Sequence, residues 1–195
     1  MPGGGEIIID SPSLIDGLLD REGGTFTDRP EDSGGPTKWG WTQSALCAVY
    51  DRAVSIEAVR NLTREQAAAL YAQEHWRRPG FDKLAAISPK VAAKLFDIHV
   101  NLPPSRAGEF LQRALNALNK QASLYADVKV DGQIGPATRS ALATYLRLRG
   151  GEGESVLLEL INSQLAVYYL ERTEARSLNE FNIYGWVLNR VVKDV

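Results

Sequence analysis

The sequence predicts an all-α fold of around eight helices with one small β-hairpin. Apolar residues recur at helical spacing, as in Leu14, Ile15, Leu18 and Leu19, and again in Val91, Leu95, Ile98 and Leu102. Helix-start signals precede further runs: Thr42, the Thr63-x-x-Gln66 capping pattern, and Ser88 before Pro89. The stretch from Gly23 to Gly40 is dense instead in Gly, Pro and Asp, the composition of a tight turn or hairpin.

The first apolar stripe ends at Glu22, which follows Leu18 by four residues and Leu19 by three, so all three share a helix face. Gly23 is placed to stop that helix. A carboxyl at the edge of an apolar face loses hydration, which raises its pKa and suits a general acid. Ten residues further on is Asp32, and five beyond it is Thr37. A turn folding back over the helix end would set both across a gap from Glu22. An acid, a second carboxylate and a hydroxyl around one gap suit hydrolysis of a glycosidic bond. The same residues also describe a Gly-rich turn with surface carboxylates.

The string Glu22-Gly23-Gly24, followed by Asp32-Ser33-Gly34-Gly35-Pro36-Thr37-Lys38-Trp39-Gly40-Trp41-Thr42, resembles the signature of glycoside hydrolase family 108. Its members are N-acetylmuramidases of phage endolysins and related bacterial muramidases used in secretion. The E…D…T order also resembles the catalytic triplet of phage-type lysozymes, with the Asp shifted by one residue. The resemblance implies a lysozyme-like cleft between two lobes, with Glu22 as acid and Asp32 and Thr37 holding the water. It implies Trp39 as a substrate-binding residue too.

Past the signature, Thr42 opens a helix through Asp51, and Thr63 opens one running to about Trp76. The run from Leu62 to Trp76 is again similar to the family, and Arg77-Arg78-Pro79-Gly80 ends that helix. His75 reads as a packing or helix-surface residue, since two histidines without Cys or Asp partners make no metal site. The helix after Ser88-Pro89 is a core helix. Its Asp97 and Asn101, four apart, match the family's D-x-x-V-N run and either line a sugar cleft or form a polar face.

Pro103-Pro104 breaks the chain and marks the best internal boundary, giving a catalytic lobe at 1–105 and a helical lobe at 106–195. The second lobe opens with a helix over Phe110–Leu118. The Asp131-Gly132 turn, Gly135 and Pro136 then form a loop-to-helix joint. This pattern resembles small peptidoglycan-binding modules, including the one appended to family 108 enzymes. Residues 150–154 read as a flexible loop before a long helix through Leu160, Leu165, Tyr168 and Tyr169. The run from Phe181 to Val191 resembles the family's terminal segment, where Trp186 either stacks on a sugar or seals the core.

Composition excludes other classes. The net charge is -2, split at about -3 for residues 1–105 and about +1 beyond, so no basic face points to nucleic acid. Cys47 is the single cysteine, which rules out an internal disulfide; its setting reads as a buried helix position. The opening residues carry no basic cluster, and Ile7-Ile8-Ile9 is cut short by Asp10, so neither a signal peptide nor a membrane anchor is expected. The expectation is therefore a peptidoglycan-degrading N-acetylmuramidase that needs no metal or other cofactor. A phage endolysin is the expected setting: a monomer made in the host cytoplasm and delivered to the wall by a holin or similar pore. The alternatives are a non-catalytic glycan-binding module and a bacterial secretion-associated muramidase.

Overall fold

A computed structural model describes residues 11–28 and 34–193. Nine α-helices and one two-stranded hairpin occur among them. Chain contacts divide the protein into two compact units, Met1–Arg78 and Pro79–Val195. No helix among the described residues is long and apolar enough to cross a membrane.

The first unit begins with α1 (Ser11–Glu22), which buries Ile15, Leu18 and Leu19 as its spacing predicts. The helix stops where Gly23 takes φ +71 and donates its N–H to Leu19 O at 3.0 Å. The hairpin follows as β1 (Thr37–Lys38) and β2 (Trp41–Thr42). Thr42 then caps α2 (Gln43–Tyr50), accepting from Ala45 N at 3.1 Å. Cys47 on α2 is half-buried rather than buried, and its Sγ accepts from Val54 N at 3.2 Å.

A short α3 (Ile56–Arg60) leads to α4 (Arg64–Tyr71), whose capping box is complete. Thr63 Oγ1 accepts from Gln66 N at 3.2 Å, and Gln66 Oε1 accepts from Thr63 N at 2.9 Å. Arg64 reaches Asp16 and Asp20 on α1 at 2.6 and 2.8 Å, tying the two helices at the surface. The helix widens after Tyr71 into a π-helical turn, Ala72–Arg77.

In the second unit, α5 (Phe81–Ala85) packs on α6 (Pro89–Asn101). Ser88 caps α6 through Val91 N at 3.0 Å with Pro89 in the first turn. Because α6 packs against α5, α7 and α8, every residue from Val91 to His99 is buried, charged ones included. The Lys94 amine is held by Arg190 O, and Asp97 pairs with Arg190 Nη1 at 3.0 Å.

The next helix, α7 (Ser105–Leu118), has two buried kinds of residue. Phe110, Leu111, Ala114 and Leu115 are core. The buried Gln112 and half-buried Asn116, with Asn119 just past the helix end, form a polar seam that holds the loop after the helix. Gln112, only 1% exposed, accepts from Asp131 N and Gly132 N at 3.0 and 2.9 Å. It donates to Asp131 Oδ1 and Gln133 O at 3.0 and 2.9 Å. Asn116 exchanges two 2.8 Å bonds with Val128, as a neighbouring strand would. Gly108 and Gly132 make the close approach possible, since a Cβ on Gly108 would lie 2.0 Å from Gly132 O.

The long α8 (Pro136–Ala175) corrects the expectation of a flexible loop at residues 150–154. The chain leaves helical geometry only at Gly150, with φ +61 and ψ -153, and resumes at once. Tyr145 donates to Gly153 O at 2.9 Å, and a Cβ on Gly153 would lie 2.2 Å from Arg149 Cβ. The glycines thus let two helical segments meet at a sharp, packed corner. A last helix, α9 (Glu180–Val187), runs into a π-helical turn, Leu188–Val192.

Replacing Gln112 by Leu should strand the Asp131 and Gly132 N–H groups in a half-buried setting, while Gln133 O keeps its bond from Gly135 N at 2.9 Å. Each such loss costs about 1–3 kcal/mol. Urea unfolding should show a loss of at least about 2 kcal/mol, with the slope unchanged.

Candidate active site

The site in the first unit grows from the end of α1 and the hairpin turn. In the register Lys38↔Trp41, only Trp39 and Gly40 lie in the turn, and their φ values are +54 and +76. Two positive φ values make a type I′ turn, which matches strand twist. Glycine occupies the second position without cost. An aromatic residue at the first is strained by roughly 1–3 kcal/mol and needs its surroundings to hold it. Those surroundings are visible: the Trp39 indole N–H donates to Leu62 O at 3.2 Å, and the ring lies on Gly24. A Cβ on Gly24 would lie 2.4 Å from Trp39 Cζ2. The two glycines after Glu22 therefore have different jobs. Gly23 ends the helix and Gly24 admits the indole.

At the second turn position, a Cβ on Gly40 would lie 2.4 Å from the Tyr71 hydroxyl and 3.2 Å from Glu22 Oε2. The Glu22 carboxylate and the Tyr71 phenol thus converge on one Cα. Tyr71 donates to Trp39 O at 3.2 Å, securing the turn from the other side. Its phenol pKa is pushed up, first by burial and then by the charge of Glu22. Tyr71 therefore stays a neutral donor far above neutral pH. Its ring joins Trp41 and His75 in a triangle with centroids 5.1, 5.4 and 5.3 Å apart. The packing role expected of His75 is what the rings show.

Glu22 itself is exposed. The drying expected from the Leu18–Leu19 stripe does not occur, because the stripe is buried up to Leu19 and the helix ends before its next turn could be covered. What backs the carboxylate is the turn. Thr37 sits in the middle of the local pairing, bonded through its backbone to Thr27 at 2.8 and 2.9 Å and registered with Thr42 on the other side. Its hydroxyl donates to Gly35 O at 2.8 Å, which leaves the oxygen lone pairs free to accept. Asp32 lies outside the described residues.

The remaining residues expected from the sequence belong to the second unit. Asn101 and Trp186 line one pocket of about 230 Å³ with Tyr168, Tyr169, Arg172 and Arg190. Trp186 is half-buried against Tyr169, with centroids 5.4 Å apart, so it is neither a fully sealed core residue nor a free platform. Asp97 is 7% exposed and committed to Arg190, and Asn101 donates to Asp97 O at 2.7 Å. Sequence reasoning missed Gly40 and Tyr71. The pairing of a tryptophan with a glycine between two short strands was the available signal.

Residues 15–102 match the glycosyl hydrolase 108 family, and residues 106–191 match a family described as a predicted peptidoglycan domain. The chain joins these two family regions. Together they support a glycoside hydrolase that acts on peptidoglycan. Among solved structures, Brucella abortus SagA is similar with a TM-score of 0.58 and 23% identity, over 90% of this chain and 94% of that one. At that identity the likeness speaks for the fold, which is the helical, lysozyme-like class expected. No curated protein matches.

Gly40→Ala should cost clearly more stability than Gly23→Ala. Both glycines have positive φ, a penalty of about 1–2 kcal/mol for alanine, yet Gly23 has open space where Gly40 meets Tyr71 and Glu22. Equal losses in chemical denaturation would show that the turn yields freely.

Proposed function

We propose that the protein is an N-acetylmuramidase, hydrolysing the β-1,4 bond between N-acetylmuramic acid and N-acetylglucosamine, with residues 1–105 as the catalytic lobe. The observation that carries this reading is the Glu22 carboxylate, set against Gly40 near Tyr71 at the tip of the hairpin yet open to solvent. A general acid needs this combination of a packed back and a free face. The family match of residues 15–102 supplies the reaction class.

In the proposed reaction Glu22 gives its proton to the glycosidic oxygen as the bond to the anomeric carbon breaks. Water attacks from the opposite face and loses its proton to Asp32. Thr37 orients that water, its own hydrogen being engaged by Gly35 O. The setting we favour is a phage endolysin, made in the host cytoplasm and passed by a holin to the peptidoglycan.

Glu22→Gln keeps the shape of the side chain but has no acidic proton. Loss of general acid catalysis typically costs about 10²–10⁴ in rate. Clearing of purified peptidoglycan should fall by at least that much while melting temperature holds. A folded variant that clears at the parent rate removes Glu22 as the acid. A wild-type protein that sediments with the wall without clearing it would be a binder instead.

Product analysis tests the bond and the stereochemistry. Reducing-end N-acetylmuramic acid with inverted configuration is expected, since two carboxyls holding a water stand about 6.5–9.5 Å apart in inverting enzymes. Reducing-end N-acetylglucosamine would make the protein a glucosaminidase. A glycosyl adduct trapped on Asp32 would replace inversion by retention.

A further inference from the structure

The groove between α7 and the second half of α8 carries chemistry that the catalytic reading leaves unused. It encloses about 360 Å³, with Phe110, Ala114 and Leu160 among its apolar lining. The Gln164 amide crosses it to donate to Phe110 O at 2.9 Å, while Arg106 lies over the Tyr168 ring at 5.7 Å, so the helices run antiparallel here.

Its polar groups are unevenly satisfied. At one end Arg106 is paired with Glu109 at 2.9 Å, and Glu171 shares the rim. At the other end Arg113 is exposed and has no ionic or hydrogen-bond partner among the described residues. Between them Gln164 Oε1 is buried and accepts no hydrogen bond. A buried acceptor without a donor is costly, and an N–H from a ligand that parts the side chains covering this oxygen relieves it. The groove therefore asks for a carboxylate at Arg113, an N–H at Gln164 and small apolar groups along the floor. Phe110 and Arg113 are three residues apart on the helix, about 4.5 Å along its axis. Extended peptide advances about 3.3–3.6 Å per residue, so one to two residues separate those groups.

A sugar fits less well. The face of Tyr168 is taken by Arg106, its edge meets Tyr169 at a centroid distance of 6.0 Å, and Phe110 is buried. No open aromatic face is left on which a pyranose could stack. Peptidoglycan, the polymer to which residues 106–191 point, carries short, acidic, alanine-rich peptides on its glycan. We propose that the α7/α8 groove binds this acidic stem peptide, with one carboxylate on the Arg113 guanidinium and one peptide N–H on Gln164 Oε1. The proposal rests on the peptidoglycan reading and adds to it the part of the polymer that is held.

The test titrates the full chain with the soluble peptide L-Ala-γ-D-Glu-L-Lys-D-Ala, which contains no glycosidic bond, and follows it by NMR. Saturable binding is expected. Arg113→Glu should weaken it at least tenfold, and Ala117→Trp, at an exposed position lining the groove, should do the same by filling it. Both variants should melt like the parent and cleave peptide-free glycan strands at the parent rate. Should Ala117→Trp melt low, the comparison of Arg113→Glu with Arg113→Gln decides. Absence of binding at millimolar peptide overturns the proposal, as does binding that the variants retain. Binding of peptide-free glycan that the variants lose would also overturn it, making the groove a sugar subsite. Peptide binding without any wall hydrolysis would defeat the catalytic reading and leave the groove standing.

Discussion

The site in the first unit depends on a missing side chain. Helix α1, the hairpin turn and helix α4 meet at the Cα of Gly40, where the Tyr71 hydroxyl occupies the volume that a Cβ would take and Glu22 borders it closely. That approach is possible only because the turn has two residues and both take positive φ. The strain this puts on Trp39 is offset by its bond to Leu62 and its seat on Gly24. Gly24, Trp39, Gly40, Tyr71 and Glu22 therefore form one mechanical unit, and the position of the carboxylate follows from all of them.

The second unit solves a different problem, that of holding a long irregular loop against a helix. Its means are side-chain amides at Gln112, Asn116 and Asn119, which replace the backbone partners a strand would have offered. Amides do this well because each carries a donor and an acceptor in one plane. Asp131 is drawn into the same network, and the Gln133 N–H and then the Gln112 amide hold its carboxyl below the usual range. The close contact of Gly108 with Gly132 fixes how near the loop can lie.

The chemistry and the packing are kept apart in this protein. Ionisable groups buried in α6 are engaged in place, the Lys94 amine by the Arg190 carbonyl and the Asp97 carboxylate by the Arg190 guanidinium, and they serve the interior. Burial likewise depresses the His99 pKa, so that residue is uncharged at neutral pH. Glu22 has no such enclosure. It is supported from one side by the turn and exposed on the other, where a substrate has access.

Much of this was legible in the sequence, and for local reasons. The caps at Thr42, Thr63 and Ser88, the end of α1 at Gly23 and the core face of α6 depend on residues within one or two turns of each other. The E…G-G…T…G order likewise marks a helix end followed by a hairpin. What the sequence could not yield was set by groups distant along the chain. The exposure of Glu22 reflects where the covering of the stripe stops, not the stripe itself. Residues 150–154 read as a loop because glycine lacks helical propensity, yet only Gly150 leaves helical geometry, and the bond from Tyr145 to Gly153 O and the room Gly153 leaves for Arg149 pack the corner. The convergence of Tyr71 and Glu22 on Gly40 joins positions 22, 40 and 71, and no local pattern encodes that distance. Only packing in three dimensions decides which glycine is needed for its φ and which for the space it leaves.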